Sequence, residues 1–157
     1  MISVIIVSYK VPDLLFSCIK ALVAGQSNDA VELIIVDNDE ETNDRKSIES
    51  SFPGVIWIQN ATNVGFAAAV NAGLRRASGN HILLLNPDTE VSPDAISAII
   101  QFWKNNPNVG IMGGKIINSD GSFQKQCRRR FPEPGSAFFR LFGLARLFPD
   151  HRLSSSY

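Results

Sequence analysis

The chain has 157 residues, 45% of them hydrophobic and 19% charged, a balance that supports one buried core of ordinary globular size. Fifteen basic residues offset fifteen acidic ones, so no net field recruits nucleic acid or an anionic membrane. The two cysteines are too few for a disulfide framework and match no zinc-ligand spacing, and no apolar run approaches the roughly 20 residues of a membrane span.

Residues 2–8 are rich in β-branched side chains and predict a first strand, with no basic leader segment ahead of it, so the chain reads as cytosolic. Pro12 then stands where helices start, and Leu14, Leu15, Cys18, Ile19, Leu22 and Val23 recur at helical spacing until Gly25 closes the helix. A second aliphatic strand, residues 31–36, ends in Asp37-Asn38-Asp39. A short helix over residues 44–51 and a third strand over 55–59 follow, separated by Pro53-Gly54. Asn63-Val64-Gly65 opens a helix of small residues, 66–77, that Gly79 closes. His81-Ile82-Leu83-Leu84-Leu85 is a fourth strand, and it runs straight into Asn86-Pro87-Asp88. Ser92-Pro93-Asp94 carries the marks of a helix start, with a capping hydroxyl, a first-turn proline and an acid near the positive dipole end. Asn106-Pro107 halts that helix.

This βαβαβαβα order predicts an α/β fold, a mainly parallel sheet covered on both faces. The period then changes. Residues 109–112 read as a further strand, and two strand-like runs flank Ser119-Asp120-Gly121, which predicts a β-hairpin after the fourth βα unit. We take residues 1–130 as one domain and residues 131–157 as an amphipathic helix and polar tail. In residues 138–148, Arg140 and Arg146 stand among apolar side chains. Three uses compete for this segment: a helix covering the core, contact with a partner or second copy, and a membrane-interface helix beside a lipid-linked acceptor.

Four successive strands end in polar residues: Ser8-Tyr9-Lys10, Asp37-Asn38-Asp39, Asn60 to Asn63, and Asn86-Pro87-Asp88. In open parallel sheets the carboxyl edge is where ligands bind. A carboxylate at that edge, Asp88, suits a hard divalent cation, and such a cation suits a diphosphate. Each feature also has a plainer use. Asp37 and Asp39 could be solvated loop acids, Asn63 a helix cap, and Asp88 the lead-in to a turn. Glu90 and Asp94 serve the following helix start, and His81 simply opens a strand. Cys127-Arg128-Arg129-Arg130 forms a local basic cluster that is either a solvated face or a contact for a diphosphate or an anionic acceptor.

These residues resemble the family 2 glycosyltransferases, inverting enzymes with the GT-A (Rossmann-like) fold, a three-layer sandwich. The resemblance covers about residues 2–130. Ser3-Val4-Ile5-Ile6-Val7-Ser8-Tyr9 is similar to the family's first strand, and Leu33-Ile34-Ile35-Val36-Asp37-Asn38 to its second. The segment from Asn63 through Gly65 and Asn71 to Gly73 resembles the nucleotide pocket of rhamnosyltransferase-like members. Asn86-Pro87-Asp88 occupies the place of the Asp-x-Asp motif. The resemblance implies that Ser8, Tyr9, Asp37, Asn38, Asn63, Gly65, Asn71 and Asn86 bind the nucleotide. It also implies that Asp88 holds Mn²⁺ or Mg²⁺ on the donor diphosphate. Asp37 can accept a hydrogen bond from a pyrimidine ring N–H, Tyr9 can cover a base or ribose, and Gly65 leaves room for close backbone approach. The activity implied is polysaccharide biosynthesis: transfer, with inversion, of a sugar from a UDP- or dTDP-activated donor, dTDP-rhamnose foremost, to a saccharide or lipid-linked acceptor.

An inverting transferase also needs a general base for the acceptor hydroxyl. Nothing in the chain resembles it: Asp120 belongs to a hairpin turn, Glu133 lies between prolines and Asp150 is in the tail. The chain therefore reads as the donor-binding portion of a longer enzyme, cytoplasmic or at the inner face of the membrane, with self-association expected through residues 138–148. A non-catalytic nucleotide-binding or assembly module is the alternative. A dinucleotide oxidoreductase lacks its Gly-x-Gly-x-x-Gly after the first strand, and a signalling receiver lacks its acidic pair there.

Overall fold

A computed structural model describes residues 1–24, 31–40, 45–124, 127 and 134–147, and these fall into two compact units, Met1–Asn106 and Pro107–Tyr157. The first unit holds β1 (Ile2–Ser8), α1 (Pro12–Ala24), β2 (Val31–Asp37), α2 (Arg45–Ser51), β3 (Ile56–Gln59), α3 (Phe66–Leu74), β4 (His81–Leu85) and α4 (Ala95–Asn105). The strands form one parallel sheet in the order β3-β2-β1-β4. Sequence reasoning expected this alternation. The strand order, a matter of long-range register, it left open.

Side-chain alternation along β1 shows how the layers arise. Ile2, Val4 and Ile6 point to one face, where they pack with Leu15, Cys18, Ile19 and Leu22 of α1, Ile48 of α2 and Ile96 of α4. Ile5 points to the other face and joins Ile34, Val36 and Ala69 of α3. The result is helix, sheet, helix. Leu15, Cys18, Ile19 and Leu22 stand at i, i+3, i+4 and i+7, which is why α1 buries a single stripe. α3 meets the sheet through small residues, Ala69 and Gly73. A Cβ on Gly73 would come within 2.7 Å of Ile5 Cγ2, so a glycine there sets the packing distance. β4 is an edge strand beyond the reach of α3's main contacts with β1 and β2, and its Leu84 is 49% exposed.

At the amino end of the sheet, polar groups distant in sequence lock three segments together. Ser3 Oγ and Ser78 Oγ both donate to the Glu32 carboxylate, as does the Ser78 N–H at 2.9 Å, while the Gly79 N–H donates to Ser3 Oγ at 2.8 Å. Burial opposes ionisation of Glu32, but these hydrogen bonds outweigh it and hold the carboxyl below its ordinary range.

Several boundaries differ from expectation. α3 stops at Leu74, where the Arg75 and Arg76 N–H groups close onto Asn71 and Gly73 carbonyls. The Ser92 hydroxyl caps nothing; α4 starts at Ala95, whose N–H bonds to the Ser92 carbonyl. In the second unit, residues 109–112 form no strand, and Gly110, Gly113 and Gly114 explain why, since glycine weakens a strand and leaves nothing to pack. The expected hairpin is present as a turn with a single antiparallel bridge, Ile117 to Phe123. Ser122 N–H donates to Asp120 Oδ1 at 2.8 Å, and hydrogen bonds from Ser122 keep the Asp120 carboxyl below its usual range. The apolar segment forms α5 (Pro134–Leu141) and α6 (Leu144–Leu147), broken at Gly143, whose φ is +69°. Phe138 and Phe142 meet at 4.4 Å between ring centroids, and both are exposed. Among the described residues no helix is long and apolar enough to cross a membrane.

Candidate functional site

The sheet's carboxyl edge is stepped. β1 and β2 end level, Ser8 opposite Asp37, and Asp37 is opposite Gln59 of β3, whereas β4 stops pairing at Leu85, opposite Ile6. The chain leaving β4 therefore turns away two residues lower, about 7 Å at normal strand rise.

The first group of site residues sits where β1, β2 and β3 finish. Asp37 is 2% exposed. Its Oδ1 accepts the Asp39 N–H at 3.0 Å, and its Oδ2 is buried with no hydrogen-bond partner among the described residues. A buried carboxylate oxygen without a partner is costly, and such groups are where a donor is expected to arrive. Asp37 follows Ile35 in the alternation and so points to the α1 side. There it lines a depression of about 230 Å³, open mouth included, with Ser8, Lys10, Val11, Pro12, Leu15, Asp39 and Trp57. Tyr9 is exposed on the loop between β1 and α1, and Lys10 Nζ lies 5.3 Å from its ring centroid.

Asn38 points to the opposite, α3 side and ties the loops together. Its N–H donates to the Ser8 carbonyl at 2.8 Å, and its Oδ1 accepts from Asn60 Nδ2 at 2.8 Å. Its Nδ2 is 3.5 Å from the Gly65 carbonyl. Asn60 in turn donates its N–H to the Asp37 carbonyl at 2.9 Å. Asn63 Oδ1 accepts the Gly65 N–H at 3.0 Å, which shapes the entry to α3, while Gly65 itself takes the cap position at φ +80°. That φ favours glycine independently of any ligand. Asn71 is exposed on α3 and its side chain makes no hydrogen bond among the described residues.

The third group is the turn after β4. The Thr89 N–H returns to the Asn86 carbonyl at 3.2 Å, so Asn86-Pro87-Asp88-Thr89 is a tight turn with proline at its second position. Asn86 and Asp88 are exposed on it. Cys18 of α1 packs beneath, with Sγ 3.5 Å from the Asn86 carbonyl. Burial pushes the Cys18 thiol up to about 11, with Asp88 adding to the effect and the Thr89 N–H opposing it. No cluster of three or more metal-ligating side chains occurs among the described residues. Asp88 is a single exposed carboxylate, which fits a Mg²⁺-like ion that takes its remaining ligands from phosphate and water.

The structure thus brings Ser8, Asp37, Asn38, Asn63 and Gly65 into one hydrogen-bonded strand edge and sets Asn86 and Asp88 on the adjacent, lower step. Asn71 stands apart from these contacts. Arg128, Arg129 and Arg130 lie outside the described residues, as does Gly25. Sequence reasoning gave no role to Trp57. Its place two residues before the end of β3, on the same face as Asp37 on β2, was the available signal.

Residues 3–153 match the family described as Glycosyl transferase family 2. Among curated proteins, an uncharacterized glycosyltransferase of Haemophilus influenzae is 34% identical over 118 residues, 71% of this chain and 37% of its own length. The N-acetylglucosaminyl-diphospho-decaprenol L-rhamnosyltransferase of Mycobacterium tuberculosis is 24% identical over 110 residues, 63% of this chain and 36% of its own. The chain therefore spans little more than a third of the length of these relatives. Two solved structures share the fold. The mannosyltransferase PcManGT of Pyrobaculum calidifontis, in complex with GDP-Man and Mn²⁺, aligns at TM-score 0.62 and 17% identity, covering 74% of this chain and 35% of that one. Residues 1–349 of S. aureus TarS, in complex with UDP, align at TM-score 0.61 and 18% identity, covering 75% and 38%.

Proposed function

The chain belongs to glycosyl transferase family 2, and from that premise we propose that it is the nucleotide-sugar-binding part of an inverting sugar transferase. The observation that carries this reading is the buried, unpartnered Oδ2 of Asp37 at the carboxyl end of β2. A carboxylate oxygen there accepts the ring N–H of uracil or thymine and offers nothing to cytosine, whose ring nitrogen at that position is an acceptor. The donor we propose is a UDP- or dTDP-sugar. Rhamnose is the sugar we name first, supported by the rhamnosyltransferase among the relatives.

Ser8 and Trp57 flank the base on the α1 side, while Asn38 and Asn60 hold the two loops in register beneath it. Tyr9 covers the base or ribose in this reading, which its exposure beside the pocket supports. Asn86 and Asp88, on the lower step, would hold Mn²⁺ or Mg²⁺, and the Mn²⁺ in the mannosyltransferase complex supports a metal in this fold. Such an ion, when bound, offsets the negative charge that develops on the diphosphate leaving group. The acceptor is a saccharide or a lipid-linked sugar. Exposed Phe138, Leu141, Phe142 and Leu147 offer an apolar surface for a lipid-linked acceptor or a second copy of the chain. The general base is assigned to none of the described residues.

Calorimetric titration with UDP and dTDP, in Mn²⁺ and in chelator, tests the proposal. We expect binding that Mn²⁺ strengthens, and Asp88→Ala should abolish the metal-dependent part while leaving the metal-free affinity and the melting temperature in place. Equal affinity in the variant with and without Mn²⁺, matched by the same behaviour in the wild type, would remove Asp88 from the metal role. Measured sugar transfer, as opposed to binding alone, would separate an enzyme from an assembly module.

A further inference from the structure

We propose that Lys10 is a binding residue for the phosphates of the donor, a cation that makes the pocket select a nucleoside diphosphate over the bare nucleoside. This deepens the nucleotide reading above and rests on it. Three observations carry it. Lys10 is the one non-glycine among the described residues with positive φ, +56°, a left-handed conformation that lysine seldom adopts. Unusual backbone of this kind collects at ligand sites, where the surroundings impose it. Here it turns the chain sharply from the end of β1 into α1, whose first turn begins at Pro12.

The side chain's surroundings are the second observation. Among the described residues, Lys10 is the sole lysine or arginine lining the depression that Ser8, Asp37, Asp39 and Trp57 also line. Its ammonium lies 5.3 Å from the Tyr9 ring centroid, so the aromatic face holds the charge beside the mouth. The third is electrostatic. The buried Asp37 carboxylate lines this depression, so an approaching diphosphate meets a like charge. An ion at Asp88 would act one strand away, on the lower step. Lys10 supplies a positive charge on the near side, with three N–H donors for phosphate oxygens.

The test uses the full chain in chelator, so that no metal contributes, and titrates UDP and uridine separately. Lys10→Asn removes the cation and keeps a residue that tolerates the left-handed backbone; Lys10→Arg keeps the charge. UDP affinity should fall about tenfold in Lys10→Asn, the loss of one charge-assisted contact. Uridine affinity should stay unchanged, and the arginine variant should recover most of the loss. In the wild type, UDP but not uridine should shield Lys10 from acetylation, read by peptide mass spectrometry, which tests the idea even if a variant fails to fold. Unchanged UDP affinity, equal losses for UDP and uridine, or no shielding would overturn the inference while leaving the nucleotide site intact. Failure of the wild type to bind either ligand would overturn the nucleotide reading itself.

Discussion

Replacing Asp37 by asparagine should move affinity and stability in opposite directions. The carboxylate is buried, with one oxygen satisfied by the Asp39 N–H and the other by no partner among the described residues. Asparagine keeps the shape. Its single carbonyl oxygen retains the Asp39 bond, and its NH₂ then faces the ring N–H of an incoming pyrimidine, donor against donor. The loss is one charge-assisted hydrogen bond, about 2 kcal/mol, which weakens UDP about thirtyfold. Uridine should weaken by the same factor, because the lost contact is to the base. In the absence of ligand, exchanging a half-satisfied buried charge for a neutral amide should stabilise the fold by about 1 kcal/mol, or about 2–4 °C in melting temperature. Isothermal calorimetry and a thermal melt on the same preparation read both quantities. Undiminished UDP affinity would refute the ligand role. A fall of several degrees in melting temperature would show that the carboxylate supports the fold instead.

Cys18 should be inert in the native chain: burial raises its pKa from 9.0 to about 11, so alkylation at pH 8 should reach it only on unfolding. Between those two values the unfolded thiol gives up its proton while the folded one keeps it, so stability should fall as pH rises through that window, and Cys18→Ala should remove that part of the loss. Glu32 works in the other direction. Its depressed carboxyl pKa contributes stability above 4.5 that is lost as pH falls through its folded value, and Glu32→Gln should flatten the acid limb of a pH–stability curve. Gly79→Ala would place a Cβ 2.6 Å from the Ser3 backbone nitrogen, and a loss of about 1–3 kcal/mol in denaturant unfolding is expected.

The strands were legible because their residues are aliphatic runs that only a doubly covered sheet can bury, and the strand-end polar residues could be found by reading where each run stops. What was hidden depends on contacts across the chain. Ser3, Glu32 and Ser78 look like scattered surface polars until the sheet register brings them together. Cys18 reads as one more apolar position in a helix, and nothing local shows that its thiol lies beneath the Asn86 turn. The orphaned oxygen of Asp37 is a property of its surroundings, not of the residue. Residues 109–112 misled in the opposite way: their apolar side chains suggested a strand, and the neighbouring glycines decided otherwise. Pattern reasoning weighs composition, whereas the fold weighs what each segment can pack against.

Because β1 and β2 are joined by main-chain bonds along their whole length, the height at which Asp37 stands is indifferent to side-chain identity on the loops beyond. The loops beyond are less independent: Asn60, after β3, bonds to Asn38 and to the Asp37 carbonyl, and Asn38 bonds to the Ser8 carbonyl, so a change in one is passed to its neighbours. Elevation along the strands is thereby set by the sheet, while the conformation of the strand ends is set by a handful of asparagine contacts.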